Sequence, residues 1–415
     1  MIGLLLGLIL VLASGVVATG WIKADKIPVG DVKLAVEVMG LVLALQWPST
    51  LYGGTLQGLQ RQVLLNIINA GILAVRSFGA ILVLYVISND IRSFFIWQML
   101  VAIAGTSVMS IAVKRSMPDS AKKPCFRYEL LQGVWRFSAG MFGTSVTGIF
   151  LSQLDKVVLS KMLSLKMFGY YALVSSVAAG FYKIAGPFTI ALFPKFTQLH
   201  CSNDEDALCS LYHKSCQTLA VAVIPLSVTV CLFPYEVIYL WTGNHQIALN
   251  VMTPFRYLVA GTALSCLMTI PGILQGSSGW TSLGLAANLV GVVVMTPITI
   301  VIAAHYGGTG TAAAWFCFNA VYFLVLPHFI HRRLLKHSKW FWFSRDVFFP
   351  LSAGLFVVTV SRLLCHEFTS DGAMALYLTA VFALTSLASA FAAPEPRAWL
   401  VRMASSVITK QCNVC

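Results

Sequence analysis

Two basic residues stand where a lipid-spanning helix should carry none. Arg76 falls in the middle of the apolar run 64–88, and Lys183 lies near the middle of 168–196. A charge at the centre of an inserted helix costs roughly 2.5–3.5 kcal/mol, so such a residue faces protein or water and marks a functional site. Arginine holds phosphate oxygens bidentately and lysine acts on them as a point charge. The chemistry on offer is anion binding at mid-depth. Two carboxylates, Asp155 and Glu37, lie nearer one end of their runs. They suit either a coupling proton or cation, or an ion pair with a neighbouring Lys or Arg.

Positions three, four and seven apart share one face of a helix. On that spacing Asn66, Asn69 and Arg76 form one stripe, Met141, Ser145, Gly148, Ser152 and Asp155 a second, and Ser176, Gly180, Lys183 and Pro187 a third. Small and polar residues also serve close helix packing. Packing needs no charge, however, and the charges tip the balance toward a cavity. Arg76 and Lys183 are therefore the candidate substrate-binding cations, with Asn69, Ser145, Ser152 and Ser176 as candidate lining. Lys156, Arg256 and Arg362 lie close to the ends of their runs, where a long side chain reaches the interface.

The elements that carry these stripes follow from composition. Of 415 residues, 58% are hydrophobic and only 10% charged, against about 25% charged in a soluble domain, and the mean hydropathy is +0.81. This is the composition of an all-α polytopic membrane protein. A span needs about 20 apolar residues, and about twelve runs qualify, the first at 1–22 and the last at 373–393. The start, Met1 to Gly20, lacks the basic segment and cleavage site of a secretory signal and reads as a retained span. Basic clusters at Lys114 to Arg136, Arg332 to Arg345 and Arg397 to Lys410 fall in alternate connections, which places both termini on the cytoplasmic side. In such a chain the net charge of +13 reports topology rather than nucleic-acid binding. The ten cysteines make no CxxC pair, and His328, His331 and His337 have no carboxylate at ligand spacing, so neither a metal nor another cofactor is expected. No nucleophile–base or nucleotide-binding signature points to an enzyme.

A family pattern emerges from the order of motifs. Gln153-Leu154-Asp155-Lys156 is followed by Gly169-Tyr170-Tyr171 and by a helix ending Pro187 to Phe196. Before it stands Tyr52 to Arg61 with Gly58-Leu59-Gln60-Arg61, and after it the Gly/Ala-rich Tyr306 to Ala313. This resembles the Wzx-type polysaccharide translocases, the O-antigen and exopolysaccharide flippases related to the MATE exporters and the lipid II flippase. The resemblance implies two helical bundles around a cavity and a lipid-linked oligosaccharide as substrate, with membrane lipids and other polysaccharide-assembly proteins as partners, in a bacterial inner membrane. It implies an incomplete N-terminal bundle at 1–113, a basic linker at 114–136, a six-helix bundle at 137–331, an extra pair at 347–393 and a tail at 394–415, as if the family's first two helices were missing. A MATE-like exporter of small molecules is the alternative, although a cation-binding cavity should be acidic; a truncated, inactive remnant is another.

Overall fold

The computed structural model describes residues 2–16, 29–87, 91–117, 128–336, 338–365, 368 and 370–402. Lys23, Lys26, Lys122, Lys123, Arg127, His337 and Lys410, with part of the expected linker and most of the expected tail, lie outside these. The described elements are all helical, and the chain divides into two units, Met1–Phe126 and Arg127–Cys415.

The first unit comprises α1 (Ile2–Val16), α2 (Val29–Gly58), α3 (Gln62–Leu82) ending in a π-helical turn, Val83–Ile87, and α4 (Ile91–Ser116). Backbone contact at glycine joins α1 to α2: a Cβ on Gly7 would stand 2.6 Å from the Gly40 carbonyl oxygen, and one on Gly40 2.8 Å from that of Gly7. Without a hydrophobic drive inside lipid, such close approach supplies the dispersion energy of association. Between α2 and α3 the Gly58 to Arg61 motif is a helix cap. Gln60 takes the left-handed conformation, φ 56°, and the Arg61 N–H donates to the Leu56 carbonyl at 2.9 Å. Outward, Phe78 and Tyr85 are 73% and 91% exposed, an apolar surface of the kind that meets lipid.

In the second unit, α5 (Tyr128–Met162), α6 (Leu165–Ala179), α7 (Phe181–Cys201) and α8 (Glu205–Leu232) precede the short α9 (Pro234–Thr242). Then come α10 (His245–Leu267), α11 (Thr269–Ser277), α12 (Thr281–Leu334), α13 (Lys339–Phe341), a π-helical turn Trp342–Phe348, α14 (Phe349–Leu364) and α15 (Asp371–Ala392). Its core gathers around α8 and α10, where Tyr212, Leu219, Ile224, Val259 and Cys266 are fully enclosed.

Among the described residues nine helical stretches are long and apolar enough to cross a membrane. One is α12, two rods that meet at Gly307 (φ 57°, ψ −143°), so the expected runs 281–303 and 310–331 join end to end. The chain is a multi-pass, all-α membrane protein. The expected run 168–196 is itself divided at Gly180. The N–H groups of Gly180 and Lys183 each bond three residues back, at 2.9 and 3.0 Å, and Pro187 has no N–H for the Lys183 carbonyl. Similarly, α10 gives way to α11 at Met268, whose N–H is shared between Leu264 and Ser265, three residues before Pro271. Pro225, by contrast, sits buried within an unbroken α8.

Candidate functional site

Polar residues of α2, α3 and α4 converge on a cavity of ≈ 320 Å³ in the first unit, lined by Gln46, Ser49, Asn69, Arg76 and Thr106 among others. Asn69 and Arg76 arrive together because seven residues make two helical turns; Asn66, on the same stripe, stays exposed outside it. The Thr106 hydroxyl donates to the Leu45 carbonyl at 2.8 Å, fixing α4 against α2. Arg76 is half-buried, and its Nε is shut from solvent without a hydrogen-bond partner among the described residues. Among the described residues no carboxylate lines this cavity. A guanidinium so placed retains unspent donors in a fork that matches a phosphate or carboxylate.

Glu37 serves a different contact. Its carboxylate accepts from the Ser14 hydroxyl at 3.2 Å and lies 3.9 Å from the ammonium of Lys33, one turn before it. That is the ion-pair alternative of the sequence reading, and it faces α1.

In the second unit Ser145 and Ser152, with Gly148 between them, line a cavity of ≈ 470 Å³ together with Tyr182, Asn288 and Asn319. Asn288 donates from Nδ2 to the Thr144 carbonyl at 3.0 Å, tying α12 to α5 over the bare backbone of Gly148. Asp155 continues the stripe, but its carboxylate accepts from the Tyr171 hydroxyl at 2.6 Å rather than pairing with Lys156, which bonds Gln153 at 3.0 Å. Tyr171 is itself buried against Gly308, where a Cβ would meet its ring at 2.9 Å. Three motifs far apart in sequence, at Asp155, Tyr171 and Gly307-Gly308, thus form one cluster.

Ser176 and Lys183 do not join the Ser145–Ser152 cavity. Ser176 is exposed and donates back to the Ala172 carbonyl at 2.8 Å. Lys183 is exposed, and no hydrogen bond or ion pair engages its ammonium among the described residues; its neighbour Tyr182 is the one that lines the cavity. The tightened winding at Gly180 accounts for this, because a turn with three-residue bonds rotates the following residues off the 3.6-residue stripe.

Two buried polar groupings have no counterpart in the sequence stripes. Arg362 pairs with the buried Glu236 and lies over the Phe233 ring, 4.9 Å from its centroid, so it is engaged in protein rather than only reaching for the interface. Asp346, fully enclosed, accepts from Gln217 Nε2 at 2.8 Å and lies 2.5 Å from Nδ1 of His213. Gln217 in turn accepts the Glu395 N–H at 2.9 Å. Nearby, His331 Nδ1 donates to the Pro327 carbonyl at 2.7 Å, which leaves Nε2 to accept from the Tyr212 hydroxyl at 2.9 Å. Separations of 126 and 133 residues hid the Arg362–Glu236 and His213–Asp346 contacts. The one available signal was Glu236 and Asp346 at the margins of apolar runs. On the α8–α10 connection, the carboxylate of Asp371 raises the Tyr239 phenol above its ordinary value.

The sequence matches a family model described as "Polysaccharide biosynthesis protein" over residues 1–247. Among solved structures, a lipid II flippase MurJ in an inward closed conformation aligns with a TM-score of 0.62 at 13% identity, over 93% of this chain and 80% of that one. None of the curated proteins matches. At such low identity the structural likeness establishes the fold.

Proposed function

The chain belongs to the polysaccharide biosynthesis protein family, and on that premise we propose that it is a flippase for a polyprenyl-diphosphate-linked oligosaccharide, an O-antigen or exopolysaccharide repeat unit. The observation that carries this reading is Arg76, held at mid-helix in a cavity that no carboxylate lines among the described residues. A diphosphate and its sugars cannot cross hydrocarbon unaided, since burying unpaired charge costs many kcal/mol. Arg76 offers the diphosphate a bidentate partner, with Asn69 beside it. Lys183, exposed and unpaired among the described residues, is the candidate substrate-binding cation we assign within the second unit. The named likeness to a lipid II flippase supports the same class of cargo, a saccharide on a polyprenyl diphosphate. Alternating access is the proposed mechanism, with a transporter rather than catalytic role, in a bacterial inner membrane with both termini cytoplasmic. The proposed organisation is a helical bundle at 1–113, a basic linker at 114–136, a bundle at 137–331, an extra pair at 347–393 and a tail at 394–415. Membrane lipids and other polysaccharide-assembly proteins are the proposed surroundings.

The test is complementation of a flippase-null strain, with insertion of each variant checked by immunoblot of the membrane fraction. Arg76→Ala should abolish polymer export, Arg76→Lys should retain part of it, and Lys183→Ala should reduce it. Full export by both alanine variants would refute the reading.

A further inference from the structure

We propose that the ≈ 470 Å³ cavity of the second unit is a saccharide subsite, selective for an uncharged sugar residue. The inference rests on the carrier-lipid reading and adds to it what the cargo's headgroup must be. Its volume falls within the roughly 300–1,000 Å³ typical of small-molecule sites. Its lining includes Trp315, Phe318 and Tyr322, and no lining side chain is charged. That already separates it from the Arg76 cavity.

Hydrogen-bond bookkeeping narrows the ligand. Several donors of this lining are spent on the protein's own backbone: Ser145 Oγ donates to the Met141 carbonyl at 2.9 Å, Ser152 Oγ to that of Ile149 at 2.9 Å, and Thr144 Oγ1 to that of Gly140 at 2.8 Å. The amide nitrogens of Asn288 and Asn319 donate to the carbonyls of Thr144 and Trp315 at 3.0 and 2.9 Å. What these groups leave open are acceptors, the hydroxyl lone pairs and both amide Oδ1 atoms, together with donors, the second N–H of each amide and the hydroxyls of Ser265 and Tyr322. The Tyr182 hydroxyl is likewise turned to Ser265 Oγ, at 3.2 Å.

A neutral surface with both acceptors and donors open suits a ligand whose hydroxyls can donate and accept. A pyranose presents such a rim of hydroxyls, and its C–H faces lie well against aromatic rings. A phosphate or carboxylate would bring a full negative charge into a partly desolvated cavity whose lining holds no cation to meet it, which costs affinity. The subsite therefore takes a neutral hexose or N-acetylhexosamine and disfavours a uronic acid.

Three probes in nanodiscs carrying the full chain separate the outcomes: polyprenyl diphosphate alone, the same lipid bearing a neutral disaccharide, and the same lipid bearing a disaccharide with a uronic acid. Tryptophan fluorescence titration reads the affinity. The neutral glycolipid should bind roughly tenfold tighter than the other two, the effect of a few neutral hydrogen bonds. Ser145→Ala with Ser152→Ala removes two acceptors with little change in packing, and should erase most of that preference while leaving the bare lipid's affinity unchanged. Tyr322→Phe provides an independent second variant. Equal binding of all three lipids by the unsubstituted protein, or a preference untouched by the serine pair, would overturn the subsite and leave the carrier reading standing. Binding of none of them would refute both.

Discussion

Arg362 and Glu236 illustrate what a single side chain decides. A carboxylate buried in the second unit is tolerable because a guanidinium meets it and covers Phe233 on its other side. Arg362→Ala leaves that carboxylate without its charged partner and should lower stability by about 1.5–3 kcal/mol, the range for hydrogen bonds to charged groups. Thermal unfolding of the detergent-solubilised protein measures it, and a melting temperature unchanged from the parent would contradict the pairing. Glu37 makes the opposite case. Its contact with Lys33 is a solvent-accessible i, i+4 pair, worth about 0–1 kcal/mol, so Glu37→Gln should unfold within a degree or two of the parent. Position along an apolar run was enough to single out Arg76, because depth follows from sequence. It could not reveal that Arg362 has a partner 126 residues away, since the partner's approach is a property of packing.

At the scale of elements, the breaks matter more than the helices. Gly307, at φ 57° and ψ −143°, occupies backbone territory open to glycine almost alone. A strained residue there costs of order 1–3 kcal/mol, so Gly307→Ala should lower thermal stability by that amount. Gly308→Val should do likewise through collision with Tyr171, whose ring would lie 2.9 Å from the new Cβ. If Gly308→Val melted with the parent, the Tyr171 contact would be wrong. The motif order that resembled Wzx-type translocases was legible, and the family model bears out that family; that Asp155, Tyr171 and Gly308 touch was not. The length of apolar runs placed most of the spans, although 1–22 and 137–160 are not among the nine found, and it treated 168–196 as one rod. The consequence fell on Ser176 and Lys183, whose shared stripe with Gly180 does not survive the tightened turn there, whereas Ser145, Gly148 and Ser152, on an unbroken α5, do line one cavity.

For the whole molecule, hydropathy alone identified a multi-pass membrane protein, because burial in lipid is written into composition. Polar ties between distant segments were not legible in the same way. Gln217 bridges Asp346 and the Glu395 N–H, joining α8 to the turn before α14 and to the short helical stretch after α15. A chain ending at 393 should therefore melt at a lower temperature than one ending at 402, by the loss of that anchor; equal melting would show the anchor to be idle. The same tie has a consequence in time. His213 and Gln217 are synthesised 133 and 129 residues ahead of Asp346, and at roughly 5–20 residues per second the wait of His213 is roughly 7–27 s. Through that interval α8 is held together with two polar side chains whose partner does not yet exist. Synthesis of the turn Trp342–Phe348, which carries Asp346, closes that window.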